Sequence, residues 1–244
     1  MKKSMSKLMR MVAGRERCAI CGCFERKILC EECFAQLKFE FEKRRKGRLC
    51  RLCGKPLISE IEMCCDCREN EAEIVPGRAL FEYRGIGKEG IRAFKFKNER
   101  SFGVIYADFL ALFLRSSEFS DSFWESDRWT AVPVPGNRKN IRLRGWDPVA
   151  VVVEDLKSRG FAAADLLERK KWGKGAVSLK MMNRQQRLCA ALDSYRLREG
   201  AVVPQSVLLI DDVRTTGSTI KRCALLLKEA GAREVRWCAL AETP

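Results

Sequence analysis

Apolar residues along the chain fall into short strand-like runs separated by segments with helical spacing. Ala79 to Tyr83 alternates as a half-buried strand does, and after a glycine turn Ile91 and Phe94 fall on one face of a helix. Phe102 to Arg115 repeats apolar residues with the helical period. Trp129 to Val134 reads as a strand. Asp147-Pro148 then offers an N-cap with proline at the first helical position, opening a helix that Gly160 can close. Phe161 to Leu167 is a candidate strand. Val207-Leu208-Leu209-Ile210 is the unbroken apolar run of a strand covered on both faces, followed by a helix from Ser218 to Ala230, a closing Gly231 and a last strand from Val235 to Leu240. Strands alternating with helices predict an α/β fold with a parallel sheet flanked by helices.

Composition adds a second region. Ten of the 13 cysteines lie at or before Cys67, leaving Cys189, Cys223 and Cys238 for the remainder of the 244 residues. The division expected is a head over residues 1–72 with a basic linker, and an α/β domain over 73–244. The N-terminal apolar run is cut by Arg10, so a secretory signal is not expected, and no run approaches the 18 apolar residues of a membrane span. A reducing cytoplasm is therefore the expected compartment, and there paired thiols bind metal rather than form disulfides.

The pairs are Cys18-x₂-Cys21, Cys30-x₂-Cys33, Cys50-x₂-Cys53 and Cys64-x₂-Cys67. Eight thiolates make two tetrahedral zinc sites, because two sulfurs separated by a tight turn can reach one ion at about 2.3 Å. Gly22 and Gly54, directly after Cys21 and Cys53, suit such turns. Consecutive pairs would give two stacked ribbons and alternating pairs a cross-braced module, and spacing does not choose between them. Cys23 and Cys65 are left as spare thiols.

The chain has 47 Lys and Arg against 32 Asp and Glu and no histidine. The absence of histidine excludes Ser/His/Asp and Cys/His catalysis and Cys₂His₂ fingers, and the +15 surplus points to phosphate-bearing partners. Arg44, Arg45 and Lys46, preceded by Phe39 and Phe41, are candidates for gripping single-stranded DNA by phosphate contact and base stacking. Gly85-Ile86-Gly87-Lys88-Glu89-Gly90 matches the dinucleotide fingerprint formally, but the acid at the right distance, Asp108, falls in a helical segment instead of ending a strand.

The run Val207 to Ile210 leads into Asp211-Asp212 and then Thr215-Thr216-Gly217-Ser218-Thr219 at a helix start. Backbone amides of Thr215, Thr216, Gly217, Ser218 and Thr219, with the hydroxyls of Thr215, Thr216, Ser218 and Thr219, can cradle a phosphate monoester, and the adjacent carboxylates suit sugar hydroxyls. This segment resembles the 5-phosphoribosyl-1-pyrophosphate (PRPP) loop of type I phosphoribosyltransferases. With the four Cys pairs, Ile91 to Phe96, Val132 to Pro135 and Arg142 to Gly145, the resemblance narrows to the ComF family of competence proteins and covers nearly the whole chain.

The resemblance implies a phosphoribosyltransferase-like domain that binds PRPP with Mg²⁺, or a nucleotide, on Asp211, Asp212 and the Thr215–Thr219 loop. Arg138, Arg142 and Arg144 would stand on the pyrophosphate side, and Lys170, Lys171, Lys174 and Arg184 in the hood. It implies DNA handling with DNA-uptake or helicase proteins as partners. It leaves open whether phosphoribosyl transfer occurs and to what acceptor, and also whether the chain is an adaptor with a vestigial pocket. Where the family carries RGFNQ, this chain has Arg144-Gly145-Trp146-Asp147-Pro148, and the Asn expected three residues after Arg187 is Ala190.

Overall fold

The computed structural model describes residues 17–69, 75–115, 128–170 and 194–243. Its elements are α1 (Glu31–Lys46), α2 (Cys65–Glu69), β1 (Gly77–Glu82), α3 (Gly85–Phe96), α4 (Phe102–Arg115), β2 (Thr130–Pro133), α5 (Arg138–Arg144), α6 (Pro148–Lys157), β3 (Leu167–Arg169), β4 (Tyr195–Leu197), β5 (Ser206–Arg214), α7 (Ser218–Glu229) and β6 (Glu234–Glu242). Four strands pair in the order β1-β6-β5-β2, all parallel. The unbroken apolar run lies in β5, hydrogen-bonded on both edges and buried on both faces. Leu208 and Ile210 face the core built by α3, α4 and α6, while Val207 and Leu209 face the core built with α7.

Two expectations shift and a third holds. The strand foreseen over Phe161 to Leu167 reduces to one parallel bridge, Ala131 to Ala163, and chain pairing begins at Leu167, where β3 runs antiparallel to β4. The loop after Val134 contains a short helix, α5, whose N-cap Asn137 accepts from the Lys139 amide at 2.9 Å. Gly85, Gly87 and Gly90 belong to α3, and Asp108 lies in α4, paired with Arg159 at 2.8 Å. No dinucleotide turn forms there.

The head is not packed as a separate body. Leu37 and Phe41 of α1 are fully buried in the same core as Phe81 and Phe109, with the Phe41 and Phe109 ring centroids 4.9 Å apart. The expected boundary at residue 72 falls outside the described residues, and the core runs across it. The hood lysines and arginine Lys171, Lys174 and Arg184, with Cys189 and Ala190, also lie outside them. Among the described residues no helix is long and apolar enough to cross a membrane.

Arg44 shows how the two regions join, and it corrects an expectation. The side chain is 8% exposed, so it cannot meet nucleic acid. Its Nε donates to the Ala79 carbonyl at 2.8 Å, and Nη2 donates to the Gly54 carbonyl and to the carboxylate of Glu242. Glu242, 4% exposed, takes Arg214 Nη1 on its other oxygen at 3.1 Å. A buried ion has lost its hydration, and only such partners repay the loss. Of the three basic candidates, Lys46 is exposed and Arg45 is half-buried against Glu42. Arg44→Ala leaves Glu242 buried with one guanidinium and should cost about 3 to 5 kcal/mol, read as a lower midpoint in urea. Lys46→Ala should leave the unfolding free energy within about 0.5 kcal/mol of the parent's.

Candidate functional site

A ligand site in an open α/β sheet lies at the carboxyl ends of the strands. Here β5 continues past its apolar run through Asp211 and Asp212 to Arg214, so both acids are held by the sheet itself, Asp211 in register with Ala239 of β6. The Asp212 amide donates to Asp211 Oδ1 at 2.8 Å. Burial and the neighbouring Asp212 charge push the Asp211 carboxyl up to about 7.

The turn that follows carries Gly217 at φ +75°, a backbone conformation that side chains disfavour. A Cβ there would sit 3.2 Å from Arg214 Nε. Gly217 caps α7 without a side-chain hydrogen bond of its own, and the first amide of this 12-residue helix, that of Ser218, donates to Thr216 Oγ1 at 3.4 Å. Thr216 Oγ1 lies 3.0 Å from Ser218 Oγ, which sets two hydroxyls on the same rim, with Thr215 exposed beside them and Thr219 in the first helical turn. Amides, hydroxyls and the positive end of a helix together suit a phosphate monoester.

Lys95 is the residue that sequence reasoning placed on a helix but not in this pocket. Its Nζ stands 2.8 Å from Asp212 Oδ2, both side chains about one-fifth exposed. The Lys95 carbonyl accepts from Arg144 Nε at 2.7 Å, which brings α5 to the same corner. On the opposite side Arg138 Nη2 donates to the Arg169 carbonyl at 2.6 Å, and Arg169 Nη2 donates to the Tyr195 hydroxyl at 2.5 Å. Tyr195 in turn hydrogen-bonds Thr219. Arg138 and Arg144 are thus each held by a backbone carbonyl, while Arg142 is exposed on α5. Asp147 and Pro148 stand where the family has Asn-Gln. One carboxylate oxygen caps α6 at the Val149 amide, and the other accepts from the Gly136 amide, each at 3.0 Å. The Asp-Pro pair therefore fixes the loop after Val134 structurally.

The cysteines form two clusters by consecutive pairs. Cys50, Cys53, Cys64 and Cys67 are all buried, and their sulfurs lie within 4.8 Å of one another. Cys53 and Cys64 sulfurs are 3.7 Å apart, close to the roughly 3.8 Å edge of a tetrahedron with 2.3 Å bonds. In the first cluster Cys18, Cys21, Cys23 and Cys30 meet the same distance limit. Cys33, the expected fourth ligand, lies against Cys30, Cys21 and Cys18, so five thiols surround one site. Cys23 is therefore not a remote spare, whereas Cys65 stands exposed outside the second cluster. The knuckles repeat. Gly22 and Gly54 have φ +77° and +73°, and their amides donate to Cys18 and Cys50 carbonyls, each at 3.0 Å. Both clusters could hold zinc.

Fold and site together define a protein with a phosphoribosyltransferase-type domain carrying, at its head, two cysteine clusters that could hold metal. The family model for the phosphoribosyl transferase domain matches residues 164–244. The competence protein ComFC of Streptococcus pneumoniae is 31% identical over 214 residues, 87% of this chain and 86% of that protein. ComFC of Bacillus subtilis is 24% identical over 212 residues, covering 83% and 79%. The chain belongs to the ComF family of competence proteins. Among solved structures a hypoxanthine phosphoribosyltransferase from Staphylococcus aureus is 12% identical, with a TM-score of 0.33 over 60% of this chain and 65% of that one.

Two measurements follow from this geometry. Elemental analysis of protein purified without chelator should find about two zinc ions per chain, and a chelator should lower the melting temperature of the whole chain, since the first cluster is part of the common core. The second concerns Asp211. Its carboxyl keeps its proton to about 7 when folded but releases it near 3.9 when unfolded. Stability from this group is thus complete below about pH 4 and is lost as pH rises to 7. Asp211→Asn removes the titration, so its melting temperature should gain on the parent's between pH 4 and 7 and hold a constant lead above.

Proposed function

We propose that the pocket between β5 and α7 binds PRPP or another ribosyl 5′-phosphate, and that the chain acts in the handling of single-stranded DNA during competence. The observation carrying this reading is the succession at one strand end of two sheet-held acids, a left-handed glycine and a helix N-terminus rimmed by hydroxyls. In that order the acids can take hydroxyls and the turn can take phosphate, as one ribosyl 5′-phosphate presents them. The 5′-phosphate is assigned to amides and hydroxyls of Thr215 to Thr219, and the ribose hydroxyls to Asp211 and Asp212. Magnesium arriving with PRPP supplies positive charge at the pyrophosphate. Arg138, Arg142 and Arg144 of α5 are assigned to the pyrophosphate, with Arg144 held at the Lys95 carbonyl and Lys95 offering a cation at the same corner.

Displacement of pyrophosphate from C1 builds positive charge on the sugar and negative charge on the leaving group, so these cations would favour transfer if an acceptor is bound. Lys46 and Arg45, with the exposed Phe39, support a DNA contact on the head. Nucleic acid and DNA-uptake or helicase proteins are the partners this reading assigns, in the cytoplasm, where thiolates stay reduced.

Calorimetric titration tests the pocket. The parent should bind PRPP in the presence of Mg²⁺. Gly217→Val should abolish that binding and phosphate binding alike. Asp211→Asn with Asp212→Asn should weaken PRPP by tenfold or more and spare inorganic phosphate. A parent that ignores PRPP, or a double variant that binds it normally, rules out the assignment. In parallel, single-stranded DNA binding should fall with salt and be weakened by Arg45→Ala with Lys46→Ala.

A further inference from the structure

Arg78 of β1 is a buried cation with no carboxylate paired to it. The residue is 9% exposed, and its Nε has no hydrogen-bond partner. The acids where head and sheet meet are engaged elsewhere, Glu242 by Arg44 and Arg214, and Glu82 by Arg44 and Arg84. Among the described residues no acid forms an ion pair with Arg78. A buried ion without a counter-charge is costly, and carbonyl dipoles repay the lost hydration only in part.

What Arg78 does touch is the second cysteine knuckle. Cys50 and Cys53 are separated by Arg51 and Leu52, and Arg78 donates to both spacer carbonyls, from Nη2 to Arg51 at 3.0 Å and from Nη1 to Leu52 at 3.4 Å. Nη1 also donates to the Gly77 carbonyl at 3.0 Å. The stem lies against Gly54, where a Cβ would stand 2.9 Å from Arg78 Cδ, so the glycine that closes the knuckle also admits the arginine. Burial works against the charge on Arg78, and the thiolates of Cys50 and Cys53 oppose that effect more than Glu242 does. Lys55, a second cation near these sulfurs, is largely exposed and has Asp66 as its partner at 3.5 Å.

We propose that Arg78 is the counter-ion of the second cysteine cluster, so that its buried charge and a divalent metal held by Cys50, Cys53, Cys64 and Cys67 stabilise each other. Four thiolates outweigh a divalent ion by two negative charges, and all four cysteines are buried, where water screens that excess poorly. Arg78 brings a cation to them from the sheet. The coupling is reciprocal, as linkage requires: metal favours the burial of Arg78, and Arg78 raises the affinity for metal. Groups just outside a metal's ligands commonly change its affinity by about 10- to 100-fold.

The test compares the full-length parent with Arg78→Met, Arg78→Gln and Arg78→Lys by graded competition for bound zinc with a chromophoric chelator. In both neutral variants one of the two zinc ions should be released at roughly tenfold lower chelator strength or less, while the other, in the first cluster, is unchanged. Arg78→Lys keeps the charge and gives up the fork on the two carbonyls, so its zinc affinity should stay within about threefold of the parent's. Melting temperatures give the reciprocal reading, in which Arg78→Met costs more in zinc-loaded than in chelator-treated protein. Equal weakening by Lys and by the neutral residues would mean that the carbonyl grip matters and the charge does not, which overturns the proposal. Unchanged zinc affinity in the neutral variants, equal weakening of both ions, or failure of all three variants to fold at saturating zinc would overturn it as well. A parent that holds no zinc defeats the metal reading and this proposal together.

Discussion

The carboxylate of Glu242 is the point on which the arrangement turns. It lies at the end of β6, in register with Glu82 of β1 on one side and Arg214 of β5 on the other. Two parallel-strand neighbours bearing like charge at one sheet end are stable only if cations compensate them, and buried ones demand it most. Arg214 supplies one cation from within the sheet. Arg44, reaching in from α1, supplies the other, bonds Glu242 and stands 3.9 Å from Glu82. The same guanidinium binds the Gly54 carbonyl in the second cysteine knuckle. One ion pair thereby ties the head to the sheet and to the strand end from which the Gly217 turn springs.

The head is consequently a wall of the fold. Arg78 of β1 repeats the theme, donating to the Arg51 and Leu52 carbonyls while the Gly77 amide also donates to Leu52. The second cluster is pinned to β1 through backbone carbonyls, and the first is sealed by Leu29, Leu37 and Phe41 into the core of α4. The conformation of Arg214, whose guanidinium lies over the Trp237 ring at 4.8 Å and beside Gly217, is set within the same network. Packing in the head and geometry at the pocket share these residues.

Much of this was legible in the sequence because it depends on local pattern. The apolar run ending in two acids, the glycine before a helix, the Asp147-Pro148 cap and the Cys-x₂-Cys knuckles each specify their own geometry within a few residues. What was not legible depends on distance along the chain. Arg44 sits in a run of basic residues that reads as a solvated linker, and its partner is 198 residues away. Lys95 reads as the polar position of an amphipathic helix until β5 brings Asp212 against it. The candidate strand from Phe161 to Leu167 has an apolar pattern, but Ala162, Ala163 and Ala164 bury little, and only Ala163 bridges the sheet. Cys23 counted as spare because spacing registers pairs, whereas the fold of the first knuckle returns it to the cluster.

The central claim is that two sheet-held acids and a glycine turn at the helix start form a single ribosyl-phosphate pocket. A crystal structure of the full chain with ribose 5-phosphate tests it most directly. The account predicts the phosphate on the amides of Thr215 to Thr219, the sugar hydroxyls within hydrogen-bond distance of Asp211 and Asp212, and Lys95 still at the rim. A phosphate bound elsewhere, or one in the turn with its sugar directed away from both carboxylates, would contradict it.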